Sequence, residues 1–424
     1  MILRYHCLIS LFILAILPAH PVTPKMQMTE KDTTVLNGDS IVMNYLTGHH
    51  IPLSDDNEIE LIDSGRKKFI RLFNDIRQAK HHIHIEYFNL RNDSIGNALL
   101  QLLHQKAEEG VEVRVLFDDF GNSSNNRPLK KKHLKAYAHP NLEIQIYDPI
   151  RFPYVNHIFK RDHRKIVVID GTIGYTGGMN VADYYINGIE GIGEWRDMHI
   201  VIKGSAVSSL QDLFLDLWNQ TARQHITGAP YYPYKTTPPT TQGKSMAIVG
   251  RTPHEEPKLL RHTLVEYINR AQNSIQIVNP YFLPTKSVKR ALKSALKRGV
   301  DLQIMLSEKS DISFTPDGAM YQAHRLMKKG AKIYLYKGAF HHSKIMMIDN
   351  RFCTVGSTNL DSRSLRYDYE VNAFIFDQDF TRQLTDIFEY DKGSCIMLTP
   401  ELWKKKCAWK KTVGWTANIL TPFL

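Results

Sequence analysis

Cysteine is scarce in this 424-residue chain. Only Cys7, Cys353, Cys395 and Cys407 occur, with no C-x-x-C pair and no zinc-type spacing. A structural zinc site of the usual kind and a disulfide framework are therefore not expected. No glycine-rich nucleotide loop is present, so no nucleotide cofactor is implied. Hydrophobic residues at 43% and charged residues at 23% argue against a disordered chain and a polytopic membrane protein. Two bodies of roughly 200 residues can each bury a core without covalent staples. Acidic residues are the minority charge, leaving a net +11, which favours polyanionic partners. None occurs after Glu401, where Lys404, Lys405, Lys406, Lys410 and Lys411 follow in quick succession.

Both ends read as membrane contacts. Arg4 precedes an apolar run over residues 7–17, within the range of an export-signal core and short of a comfortable bilayer span. Residues 1–24 are accordingly expected to be a signal peptide or an N-terminal anchor. At the other end, Trp403, Trp409 and Trp415 are interleaved with the lysines. On a helix, Leu402, Trp409, Val413, Thr416 and Leu420 follow a rough apolar stripe. Residues 401–424 thus read as a basic, Trp-rich tail lying in a lipid interface. The competing reading is a helix docked on the fold with a solvated basic face.

Between these ends the chain repeats itself. Phe69-Ile-Arg-Leu-Phe73, Ile83-His-Ile85 and Tyr87-Phe88 lie over Leu264-Val-Glu-Tyr-Ile268, Ile275-Gln-Ile277 and Tyr281-Phe282. Each copy passes from helical to alternating spacing. A second helix follows in both (Ile95, Leu99, Leu102; Val288, Leu292, Leu296). Then come the strands that open at Gly110 and Gly299, and those at 142–147 and 332–336. Strand–helix–strand order predicts an α/β fold, a mixed and largely parallel sheet flanked by helices. The chain reads as a tandem duplication: a first half over 25–226, a Pro/Thr-rich extended linker over 227–243 and a second half over 244–400.

The repeat carries a motif. His163-Arg-Lys165-Ile-Val-Val-Ile-Asp170 returns as His342-Ser-Lys344-Ile-Met-Met-Ile-Asp349, both of the form H-x-K-x4-D. Asn180 and Asn359 each stand 17 residues after their histidine. Alternate residues of a strand share a face, so His163 and Lys165 project together and Asp170 projects away. A neutral imidazole is a nucleophile or base, and its protonated form an acid. The neighbouring ammonium holds a phosphate oxygen as a point charge, and the asparagines can donate to the same oxyanion. Asp170 and Asp349 are expected to orient the strand or loop rather than touch substrate. One histidine cannot attack phosphorus and protonate the leaving oxygen from the opposite side. Two half-sites meeting across a pseudo-twofold axis supply both groups, with a phosphohistidine between the steps. Each histidine also calls for an acidic partner on its second nitrogen. Asp197 and Glu370, at comparable positions after their motifs, are the candidates. In His81-His82-Ile83-His84 only His82 and His84 share a face, without a companion carboxylate or cysteine motif. They read as strand-edge histidines rather than metal ligands.

These residues resemble the phospholipase D superfamily, whose hallmark is a duplicated H-x-K-x4-D, and within it the bacterial cardiolipin synthases. The likeness extends over Asn156 to Gly171, Glu194-Trp-Arg-Asp-Met-His199, Asn279-Pro-Tyr-Phe-Leu-Pro284, Gly356 to Ser364 and Leu398-Thr-Pro-Glu-Leu-Trp403. It implies a metal-independent phosphatidyl transferase, joining two phosphatidylglycerol molecules into cardiolipin with release of glycerol. It also favours His163 as nucleophile and His342 as acid–base, roles the residues alone do not separate. The implied partners are an anionic phospholipid and the bacterial cell membrane surface, with neither nucleic acid nor an obligate protein partner. Longer members of the family carry two N-terminal spans, where this chain has one short apolar segment. The rival readings are a phospholipase D hydrolase releasing phosphatidic acid, an exported nuclease or phosphodiesterase, and a catalytically silent scaffold. The terminal, Trp-rich placement of the densest basic patch favours lipid over DNA.

Overall fold

The computed structural model describes residues 38–150, 159–236, 243–254, 257–312 and 315–421. Residues 1–24 lie outside this set. The first half contributes β1 (Leu53–Ile62), β2 (His82–Tyr87), β3 (Glu112–Asp118), β4 (Leu142–Tyr147), β5 (Lys165–Ile169), β6 (Ile173–Gly177), β7 (Trp195–Arg196) and β8 (His199–Lys203). The second contributes β9 (Lys244–Arg251), β10 (Ser274–Val278), β11 (Asp301–Ser307), β12 (Lys332–Tyr336), β13 (Phe340–His341), β14 (Ile345–Ile348), β15 (Phe352–Gly356), β16 (Glu370–Phe376) and β17 (Cys395–Met397).

Fifteen of these strands form one sheet in the order β17-β12-β11-β10-β14-β15-β16-β9-β1-β8-β6-β5-β2-β3-β4. Leaving aside β17, the order reads the same from either end, with the antiparallel β1–β9 pair at the centre. The duplicated sequence has thus become a duplicated half-sheet. The sheet is mixed as expected, but parallel pairing is confined to β2–β3–β4 and β10–β11–β12, where helices make the crossovers. The motif strands sit in hairpins, β5 with β6 and β14 with β15. Their turns of a few residues allow only antiparallel return.

Helices α1 (Gly38–Gly48), α2 (Gly65–Gln78), α3 (Ser94–Glu108), α4 (Val207–Ala222), α5 (Leu259–Arg270), α6 (Lys286–Lys297), α7 (Thr315–Met327), α8 (Gln378–Lys392) and α9 (Ala408–Leu420) cover the sheet. Ser64 and Asp93 cap the first turns of α2 and α3 through their side chains. One apolar cluster joins the halves: Ile166, Val168, Ile200 and Phe214 pack with Ile248, Val355, Ile375 and Phe388. Burial on this scale binds the two copies into a single body.

Two boundaries differ from the sequence reading. Helix α1 falls in the first-half span, yet Val42 and Leu46 are buried in the second-half core. The opening of the expected linker is also packed. Tyr231, Tyr232 and Tyr234 lie against the shared cluster, and the Tyr231 hydroxyl donates to Glu112 Oε2 at 2.8 Å. Pro230 and Pro233 lie in short helical turns, Ala229–Tyr231 and Pro233–Thr236, and the tyrosine rings beside them have apolar area to bury.

Candidate active site

The motif strands end in matching turns. Asp170 and Asp349 adopt left-handed backbone angles, φ 52° and 54°. The Asp170 carboxylate accepts from the backbone N–H groups of Lys80, His81 and His82 at 2.8–3.0 Å. Asp349 accepts from Gln272, Asn273 and Ser274 at 2.7–2.8 Å. Each aspartate fastens its turn to the start of β2 or β10. At about 3.3 Å per residue it stands roughly 16 Å along the strand from its lysine. Neither aspartate lines the cavity described below. Both carboxylates act on backbone N–H groups, those leading into β2 and β10.

The histidines are placed by backbone pairing between the halves. β7 runs parallel to β13, matching Trp195 with Phe340 and Arg196 with His341, and His342 N donates to Arg196 O at 2.7 Å. On the other side Asp162 bridges Tyr369, and His163 N donates to Tyr369 O at 3.0 Å. In both ribbons the next residue is the acid. Asp197 Oδ2 lies 2.7 Å from His342 Nδ1, and Glu370 Oε1 lies 2.9 Å from His163 Nδ1. Spacing along the chain pairs each acid with its own motif; the fold exchanges them, so each motif histidine leans on the opposite half.

Buried ion pairs hold the loop that carries His163. Arg161 donates through Nε to both Asp118 oxygens at 2.9 and 3.1 Å, and Arg164 Nε donates to Glu86 at 2.6 Å. Lys165 and Lys344 each reach back to the carbonyl of their own motif histidine. The Lys344 ammonium also lies 3.0 Å from His342 Nε2. Asn180 Oδ1 accepts from Asn89 N at 3.2 Å. The fully buried Lys68 donates to the Met179 and Asn180 carbonyls at 2.9 and 3.0 Å, fixing that loop. Among the described residues, Asn359 Oδ1 is buried without a hydrogen-bond partner.

Crowding of cations out of water sets the electrostatics. Burial, then Lys165 and Lys344, push His163 well below the ordinary imidazole range. Burial and Lys344 lower His342 to about 4, against the pull of Asp197. Lys165 falls to about 7 and Lys344 to about 8, both chiefly through burial. Burial raises Glu370 to about 7, with Lys165 and Ser357 opposing. Both imidazoles are thus neutral at pH 7. With Nδ1–H given to a carboxylate, each keeps its lone pair at Nε2. Two ammonium groups that repel one another await an anion.

His163, Asn180, His342 and Asn359 line one cavity of about 600 Å³. Phe88, Trp195 and Tyr281 form its walls, and the half-exposed Phe159 and Ile312 stand at its rim. Phe88 meets the His163 ring edge-on at 5.0 Å, and Trp195 lies 4.9 Å from His342. Sequence reasoning missed Lys68, Arg161, Arg164 and these walls. Trp195 was within reach, standing two residues before Asp197. His82 and His84 are not strand-edge residues: β2 is interior, and their rings are buried near Tyr231. His84 is held by Gln211 and Arg114.

A family model described as "Cardiolipin synthase, PLD-like domain" matches residues 72–218 and 264–392, one span in each half. The chain is 35% identical to a cardiolipin synthase of Listeria monocytogenes, over 88% of this chain and 76% of that one. This chain belongs to the cardiolipin synthase family of phospholipase D-like proteins. It is also 35% identical to "Cardiolipin synthase 2" of Staphylococcus epidermidis, over 94% of this chain and 81% of the relative. Its fold is similar to that of a phosphatidylserine synthase from Haemophilus influenzae, with a TM-score of 0.70 at 15% identity, covering 92% of this chain and all of that one. Among the described residues of this family member, no helix is long and apolar enough to cross a membrane, and no group of three or more His, Cys, Asp or Glu side chains could hold a metal ion.

Proposed function

We infer that this chain is a membrane-associated phosphatidyl transferase that converts two phosphatidylglycerol molecules into cardiolipin and glycerol. The observation that carries the reading is the pair of imidazoles in one cavity, each backed by a carboxylate from the opposite half. Phosphatidylglycerol enters with its phosphodiester between Lys165 and Lys344, and Asn180 and Asn359 supply donors to the non-bridging oxygens. His163 Nε2 attacks phosphorus, the bond to the glycerol headgroup breaks, and His342 gives its proton to the departing alkoxide. His342 gains that proton because the bound anion offsets Lys344, the charge that depresses it, while Asp197 stabilises the imidazolium. A second phosphatidylglycerol then yields its terminal hydroxyl proton to His342 and attacks the phosphohistidine. Cardiolipin leaves and both histidines return to their starting state.

Apolar walls and the burial of both histidine–carboxylate pairs favour an alcohol acceptor over water. The decisive experiment supplies full-length protein with phosphatidylglycerol vesicles and identifies lipid products by mass spectrometry. Cardiolipin and glycerol in equal amounts are expected. Phosphatidic acid as the main product would transfer the assignment to a hydrolase.

A further inference from the structure

The C-terminal helix α9 docks through its smallest residues. Gly414 and Ala417 are buried against α7. A Cβ on Gly414 would meet the Asp317 carbonyl at 2.6 Å and Tyr321 at 2.8 Å. One on Gly318 would sit 3.0 Å from Leu283 and 3.1 Å from Ala417. Leu283 is a wall of the catalytic cavity, so α9 is packed one side chain away from it. At 100° per residue, Trp409, Trp415 and Ile419 fall on the side away from Gly414, Ala417 and Thr421, with Leu420 at the flank. Trp409 is 72% exposed, Trp415 51% and Ile419 52%. The helix has buried its small side and turned its aromatic side outward, the reverse of what water alone favours.

Beside it lies a field of one sign. α6 starts at Lys286, three residues after Leu283, and α7 starts at the cavity-lining Thr315. Within α6, α7 and α9 the one acidic residue is Asp317, and it is paired with Lys406 at 2.9 Å. Burial, then Arg325 and neighbouring lysines, lowers Lys289, and burial and Arg325 do the same to Lys293. Among the described residues, the charges that act on these two lysines are other cations.

We propose that the outward face of α9 and the basic surface of α6 and α7 form one docking platform for an anionic bilayer, set beside the cavity rim at Ile312. The aromatic residues enter the headgroup boundary while the cations take lipid phosphates, bringing donor and acceptor lipids to the cavity mouth. The proposal rests on the lipid-substrate reading, and it fails separately from it.

The test uses the full chain and vesicles of brominated phosphatidylglycerol, with tryptophan fluorescence as the readout. Quenching is expected, and it should vanish in Trp409→Phe/Trp415→Phe. Charge reversal at Lys289, Lys293 and Arg325 to Glu should weaken partitioning by at least about tenfold, since each cation near an anionic surface contributes on the order of 1 kcal/mol. A salt titration of the unaltered protein, expected to release it, checks the same point without relying on a variant's folding. Co-sedimentation without quenching of these tryptophans, or equal quenching in neutral phosphatidylcholine vesicles, overturns the proposal. So does binding to DNA with no binding to vesicles. Quenching without cardiolipin formation would instead refute the transferase and leave the platform standing.

Discussion

Glu370, near the end of the second repeat, hydrogen-bonds His163 of the first at 2.9 Å, and Asp197 returns the arrangement to His342 at 2.7 Å. Neither motif histidine takes its carboxylate from its own half. This exchange removes the option of a working half-enzyme within one copy of the fold.

Because the carboxylates orient the rings and stabilise the imidazolium, Glu370→Gln and Asp197→Asn should each reduce kcat by about 10²–10⁴-fold with KM little changed. Steady-state kinetics on mixed micelles measure this. A change in KM alone would make the acids substrate-binding groups.

His163→Ala should abolish turnover and any covalent intermediate. His342→Ala, lacking the general acid–base, should instead accumulate an acid-labile phosphatidyl adduct on His163, visible by intact-protein mass spectrometry. An adduct on His342 in His163→Ala would exchange the two roles.

The reactive state needs Glu370 ionised and Lys165 and Lys344 charged. Glu370 is raised to about 7, so activity should fall as pH drops below it. Lys165 and Lys344 are lowered to about 7 and 8, so activity should fall again as pH rises above them. Lys165 is the first cation to be lost, so the pH profile of kcat/KM is expected to be a narrow bell centred near 7. Glu370→Gln should flatten its acid limb.

A lysine whose folded pKa lies below its unfolded value binds fewer protons in the native state. The resulting penalty is full below about 7 and disappears as pH climbs toward the unfolded value near 10.5. The empty enzyme should therefore gain thermal stability between pH 7 and 9. Lys165→Met should be inactive yet melt about 2–5 °C higher at pH 7. Calorimetry showing a lower melting temperature would mean that Lys165 is fully compensated without substrate.

Asp170→Ala strands three backbone N–H groups at the start of β2. A loss of about 2–4 kcal/mol in urea unfolding is expected. The fraction that remains folded should keep far more activity than either histidine variant. Equal loss of turnover in fully folded protein would return Asp170 to the chemistry.

Read residue by residue, the chain already carries the duplication, the motif strands and the residue types of the site. Apolar periodicity and repeated spacing are local properties written into consecutive residues, as in Ile166 to Ile169 and Ile345 to Ile348. It also separated His163 and Lys165 from Asp170, because strand alternation needs nothing from the rest of the chain. Tertiary structure decided the exchange of Asp197 and Glu370, which depends on two backbone ribbons between segments up to 207 residues apart. It likewise decided the burial of Lys68 beneath Asn180 and the outward turn of Trp409 and Trp415. No periodicity announces a contact whose partner lies in the other copy, since burial and pairing at that range are properties of the assembled sheet.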